Sequence, residues 1–151
     1  ASWLGDKIRY NNHIHIGMAV AVAEGLMVPV IKFADNKSLS HIATEAKQLA
    51  EKAKTKKISP EEMQGNTFSI SNLGGFGISK FTAVINPPDA CILAVGGIKK
   101  ELAFNAQKEV IENNIMKLTL SCDHRVVDGA VGTHFLLDLK DNLENPIMML
   151  V

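Results

Sequence analysis

From Ile14 to Ala23 the chain alternates, with Ile14, Ile16, Met18, Val20 and Val22 on one side and His15, Gly17, Ala19, Ala21 and Ala23 on the other. A sustained period of two predicts a long strand with one bulky face and one face small enough for close packing. Glu24-Gly25 predicts a turn, and Val28 to Phe33 a second strand folding back beside the first. The period then changes. Leu39, Ile42, Ala43, Ala46, Leu49, Ala50 and Ala53 recur every three or four residues, which predicts an amphipathic helix over Ser38 to Lys54. Its terminal lysines suit the negative pole of that helix. Ser59-Pro60-Glu61-Glu62 carries a capping hydroxyl, a first-turn proline and a glutamate three residues after the cap, so a short helix starts there and ends at Gly65.

Further along, Phe68 and Ile70 oppose Ser69 and Ser71 on a predicted strand that runs into the Asn72–Gly77 loop. Phe81–Ile85 and Cys91–Val95 read as buried strands around the Asn86-Pro87-Pro88 break. Ile115–Cys122 alternates and delivers Asp123-His124 at a strand end. Val131, Phe135, Leu136, Leu139 and Leu143 restore the helical period between Gly129 and Leu143. The sum is a mixed α/β domain with few helices.

Composition narrows the classes. Of 151 residues, 46% are hydrophobic and 21% charged, which excludes a disordered chain. Sixteen basic residues balance sixteen acidic ones, so no net field attracts nucleic acid or an acidic membrane surface. No apolar run reaches the ~18 residues of a membrane span. Cys91 and Cys122 stand too far apart for a CxxC motif, and the low cysteine count fits a reducing compartment. The chain begins at Ala1 without a methionine or signal peptide, and it reads as a piece of something longer.

Several candidate motifs lose to plainer readings. The glycines at 74–77 lack the GK[ST] ending of a phosphate loop and the spacing of a dinucleotide fingerprint. His13 and His15 share a strand face as two ligands could, but no carboxylate or cysteine stands at matching spacing, so no metal is expected. Ile147 to Val151, with Met148-Met149, reads as a hydrophobic anchor in an interface. The segment with chemical content is Ser121-Cys122-Asp123-His124-Arg125-Val126-Val127-Asp128-Gly129. A histidine at a strand end suits a general base at neutral pH. Asp128, just before a helix, reads as its N-cap and as a brace for the histidine's loop.

Thr119 to Ala130 resembles a motif of the acyltransferase cores of 2-oxo acid dehydrogenases. Phe68-Ser69-Ile70-Ser71-Asn72-Leu73-Gly74 resembles a second motif of that family. Ile85-Asn86-Pro87-Pro88, Gly25-Leu26-Met27-Val28-Pro29-Val30 and Ser2-Trp3 follow its order, and their detail is nearest the pyruvate branch. The resemblance implies a chloramphenicol-acetyltransferase-like α/β fold, a mixed sheet with flanking helices, forming a homotrimer and higher cages. It implies acetyl transfer between dihydrolipoamide and coenzyme A, both substrates, with no metal. His124 matches the family's general base, Asp128 the acidic residue of its motif, and Ser71 the hydroxyl that stabilises the oxyanion from a neighbouring subunit. Residues 1–151 match the C-terminal part of the family's catalytic domain. Lipoyl domains and the pyruvate dehydrogenase and dihydrolipoamide dehydrogenase components would be partners through other regions. The setting implied is bacterial cytoplasm or mitochondrial matrix. The alternative is a catalytically inactive scaffold fragment that assembles into trimers or cages.

Overall fold

The computed structural model describes residues 1–150. Val151, the last residue of the apolar terminal stretch, lies outside the described residues. The chain opens with a small antiparallel pair, β1 (Ser2–Trp3) and β2 (Ile8–Arg9). It then enters the main sheet through β3 (Ile16–Val22), flanked by antiparallel β4 (Gly25–Met27) and β5 (Val30–Ile31). The predicted Val28–Phe33 strand is therefore shorter. Gly25–Met27 and Val30–Ile31 pair with different parts of β3, and Pro29, with no N–H to donate, separates them.

Helix α1 (Leu39–Lys54) packs on β3 and β5 and buries Leu49 and Ala53. Its Ser38 hydroxyl accepts the His41 N–H at 3.3 Å, the capping bond that starts the helix. Pro60–Met63 forms one 3-10 turn, with the Glu62 carboxylate accepting the Ser59 N–H at 3.0 Å. Strand β6 (Phe68–Asn72) then runs parallel to β3, and β7 (Cys91–Val95) parallel to β6. A separate hairpin of β8 (Lys99–Phe104) and β9 (Val110–Ile115) follows. Strand β10 (Leu118–Cys122) returns antiparallel to β7, and α2 (Gly129–Glu144) closes the fold. The main sheet has six strands in the order β10-β7-β6-β3-β4, with β5 beside β3.

Register fixes two unlike faces. Ile16 pairs with Phe68, Met18 with Ile70, Ile70 with Leu93, and Leu93 with Leu120, so these bulky residues share the face covered by the helices. Phe68 meets Phe135 of α2 at 5.6 Å between ring centroids. Gly17, Ala19, Ser69, Ser71, Ile92, Ala94 and Ser121 share the other face. The bulky-against-small reading of the first strand is thereby realised.

Two further expectations need correction. Phe81–Ile85 forms no strand and pairs with none among the described residues, and Val84 is 89% exposed. This segment crosses the small-residue face instead of joining its edge, tied there by the Ser121 hydroxyl donating to the Ala83 carbonyl at 2.7 Å. Ile115–Cys122 is likewise two strands, because Met116-Lys117 breaks the ladder between hairpin and sheet. Where β7 ends, the chain passes so close to Ser79 that a Cβ on Gly96 would lie 2.1 Å from its carbonyl oxygen. No helix among the described residues is long and apolar enough to cross a membrane.

Candidate active site

The turn after β10 is built by its own backbone. The Asp123 N–H donates to the Ala90 carbonyl at 2.7 Å, which extends the β7–β10 ladder by one bond. The Asp123 carbonyl then accepts both Val126 and Val127 N–H at 2.9 Å and turns the chain sharply. His124 rides on this turn, exposed. Below it the Asp123 carboxylate grips Arg125 through Nε at 2.9 Å and a terminal guanidinium nitrogen at 2.7 Å. That fork holds the Asp123 carboxyl down at about 2. The guanidinium also lies 5.3 Å from the centre of the Trp3 ring, a cation–π contact linking the turn to β1.

Asp128 ends the turn. Its Oδ1 accepts the Val131 N–H at 2.9 Å and caps α2, as the sequence predicts. Its carboxylate is exposed and stands four residues from His124, so both belong to one short segment.

Ser71 is elsewhere. It pairs with Ala94, and Ala94 with Thr119, while His124 lies beyond Cys122 on the far side of the same strand. At strand rise and spacing, that places Ser71 at least ~10 Å along the sheet and ~10 Å across it from the histidine. One chain does not bring the two together. Ser71 lines a cavity of about 270 Å³ between the sheet and the 81–86 crossing, together with Ala19, Phe81 and Ile85. The Ser69 and Ser121 hydroxyls have partners in the chain, whereas no described residue takes a hydrogen bond from Ser71.

Pattern reading missed a second polar cluster at the histidine's end of the sheet. Asp89 is only 4% exposed, and its Oδ2 accepts from Asn66 Nδ2 and Ser69 Oγ, both at 2.6 Å. Burial pushes this carboxyl above its ordinary value. The only hint in the sequence was a serine alternating toward the small-residue face. Cys91 and Cys122, distant in sequence, are register partners with sulfurs 3.5 Å apart, and burial pushes the Cys91 thiol up to about 12.

His13 and His15 are spent on structure. His13 Nδ1 bonds Asp35 at 3.1 Å, and His15 Nδ1 accepts the Phe33 N–H at 2.7 Å, which supports the left-handed Phe33 (φ 54°). Among the described residues no three histidines, cysteines or carboxylates are grouped to hold a metal ion. Ile147 and Met148 are exposed on the single chain.

Known proteins resemble this chain over its whole length. Residues 1–151 match the family model described as 2-oxoacid dehydrogenases acyltransferase (catalytic domain). The dihydrolipoyllysine-residue acetyltransferase component of the Rickettsia felis pyruvate dehydrogenase complex is 48% identical over 151 residues, all of this chain and 36% of that protein. The mitochondrial component 3 from Arabidopsis thaliana is 48% identical over 153 residues, covering 28% of its length. The chain thus spans about a third of the length of these relatives.

Among solved structures, Azotobacter vinelandii dihydrolipoamide acetyltransferase superimposes with a TM-score of 0.91 at 39% identity, over 97% of this chain and 60% of that one. In that enzyme a serine, a histidine and an asparagine were investigated for their role in catalysis, the last two four positions apart. The cubic core of a pyruvate dehydrogenase multienzyme complex matches equally, with a TM-score of 0.91, 39% identity and the same coverage of 97% and 60%. A whole-chain family match, near-half identity and a shared fold converge: the chain belongs to the 2-oxoacid dehydrogenase acyltransferase family.

Proposed function

We propose that the chain is the C-terminal part of an acetyltransferase catalytic domain, moving an acetyl group between dihydrolipoamide and coenzyme A. His124, neutral, takes the proton of the coenzyme A thiol as its sulfur attacks the acetyl carbonyl on the lipoyl sulfur. A thiol with an ordinary value of ~8.5 is mostly protonated at pH 7, so a base acting during attack helps. The carbonyl oxygen gains negative charge and accepts a hydrogen bond from the Ser71 hydroxyl. When the tetrahedral intermediate collapses, the carbon–sulfur bond to the lipoyl group breaks. The departing sulfur takes the proton from His124, leaving acetyl-coenzyme A, dihydrolipoamide and a neutral histidine.

One observation carries this reading: the exposed His124 and the uncommitted Ser71 hydroxyl lie at opposite ends of one sheet. Each fits a half-site, completed when His124 of one copy faces Ser71 of the next in a homotrimer. Exposed Ile147 and Met148 suit burial between copies, in trimers or a larger cage. Lipoyl domains and the pyruvate dehydrogenase and dihydrolipoamide dehydrogenase components are the partners this reaction implies. Bacterial and mitochondrial relatives support a bacterial cytoplasmic or mitochondrial matrix setting. The test is His124→Ala in the full-length protein. A kcat lower by ~10²–10⁴-fold with the oligomer intact is expected, the usual contribution of a general base. A kcat within about threefold of the parent value removes His124 from that role.

A further inference from the structure

The polar cluster around Asp89 lies outside the reaction just described, yet it adjoins the turn that carries His124. Asp89 follows Pro87-Pro88, and its N–H donates to the Asn86 carbonyl at 3.0 Å, closing a tight turn before β7. Its Oδ2 fastens that turn sideways to Ser69 in β6 and to Asn66 just before it. Room for the cluster comes from Gly17 of β3, where a Cβ would lie 3.1 Å from Ser69 Oγ and 3.2 Å from Asn66 Cβ. The next residue is Ala90, whose carbonyl receives the Asp123 N–H at 2.7 Å. Asp89, Asp123, Arg125 and Trp3 line one cavity of about 210 Å³. A continuous run of bonds therefore leads from the middle of the sheet through Asp89 and Ala90 to Asp123, the residue before His124.

A buried carboxyl costs stability unless its partners offset the loss of water, and here the second oxygen, Oδ1, is buried without a partner. A turn needed only as a connection gains nothing from such a group. A turn that must hold a fixed height against β6 gains two short bonds in a direction that backbone alone does not supply. We infer that Asp89 is a positioning residue: its bonds to Asn66 and Ser69 set the Ala90 carbonyl, and through it the placement of the His124 turn. The role rests on the acetyl-transfer reading for its consequence, but the mechanical link can be measured separately.

The experiment uses the full-length protein with Asp89→Ala, Asp89→Asn and Ser69→Ala. It reads kcat, the KM for coenzyme A and for acetyl-dihydrolipoamide, and deuterium uptake by the peptide containing Asp123. Asp89→Ala is expected to lower kcat by ~10-fold or more, as a displaced catalytic group does, while both KM values stay within about twofold. Uptake at Asp123 should quicken. Asp89→Asn, whose amide oxygen can accept both bonds, should restore kcat and slow uptake. Should Asp89→Ala fail to assemble, Ser69→Ala removes one of the two donors and should shift kcat and uptake the same way, to a smaller extent. Unchanged kcat and uptake in Asp89→Ala or Ser69→Ala, equal losses in the Ala and Asn variants, or a rise in KM at constant kcat would each overturn the inference. If His124→Ala proves active the acetyl-transfer reading fails instead, and uptake at Asp123 alone then decides whether Asp89 holds the turn.

Discussion

At the scale of single residues, two aspartates near the His124 turn are pushed in opposite directions. Arg125 holds Asp123 down at about 2, so what that ionised pair contributes is present above 3.8 and fades as pH falls through about 2. Asp89 is raised above 3.8 by burial, so its folded form favours the proton. Its contribution is complete below the unfolded value and is lost as pH rises through the folded one. Arg125 and Asp123 line the same cavity, and the Cys91 thiol is one ionisable neighbour. Asp89→Asn keeps the two accepted bonds without the charge. Its urea midpoint should therefore gain on the parent's as pH rises from about 4 to 8, and a gap moving the other way would show that the ionised carboxylate is the stabilising form. The places of His124 and Asp128, at a strand end and at a helix cap, were legible because strand end, cap and motif coincide in one segment. Asp89 was not, because its partners Asn66 and Ser69 are remote in sequence and only the parallel β6–β7 pairing brings them together. Ser71 was assignable only through family resemblance, since alternation places Ser69 on the same face and does not say which hydroxyl is spent.

At the scale of elements, both long helices lie where the helical period puts them, within a residue or so at each end. Their signal is local: Ser38 and Asp128 each accept a backbone N–H three residues on. The β8–β9 hairpin left no such trace. On one of its faces Leu102 pairs with Glu112 and Phe104 with Val110, all exposed, so burial imposes no one-sided alternation. Phe81–Ile85 misled for the complementary reason, because an apolar run crossing a sheet looks like one inside it. The cap at Asp128 separates two roles that sequence left superimposed. Asp128→Ala should lose ~0.5–2 kcal/mol through the uncapped helix, with a lower Tm. Asp128→Asn retains the capping oxygen and should keep the Tm. It should also keep kcat within about threefold, since the Azotobacter enzyme has asparagine at this spacing from its histidine. A large fall in kcat at constant Tm for Asp128→Asn would assign the charge itself to catalysis.

At the scale of the whole molecule, the proposed site belongs to a pair of chains. Ser71→Ala and His124→Ala full-length oligomers should each be nearly inactive, with loss of the Ser71 donor worth ~2.7–4 kcal/mol. Refolded together in equal amounts, they should form trimers in which about one site in four takes both native groups from different chains. Activity near a quarter of the parent's is expected after co-refolding and not after mixing preformed oligomers. No gain beyond the average of the two pure variants would place both residues in one chain's site. The separation of Ser71 from His124 along the sheet also has a meaning for inheritance. In the proposed shared site, a chain lacking only one of the two groups should behave as a recessive defect, because beside an equal amount of normal chains about half the sites would remain whole. A chain lacking both would spoil its own site and its neighbour's, leaving about a quarter, so in a mixed population it should be dominant and more harmful than a chain that was never made.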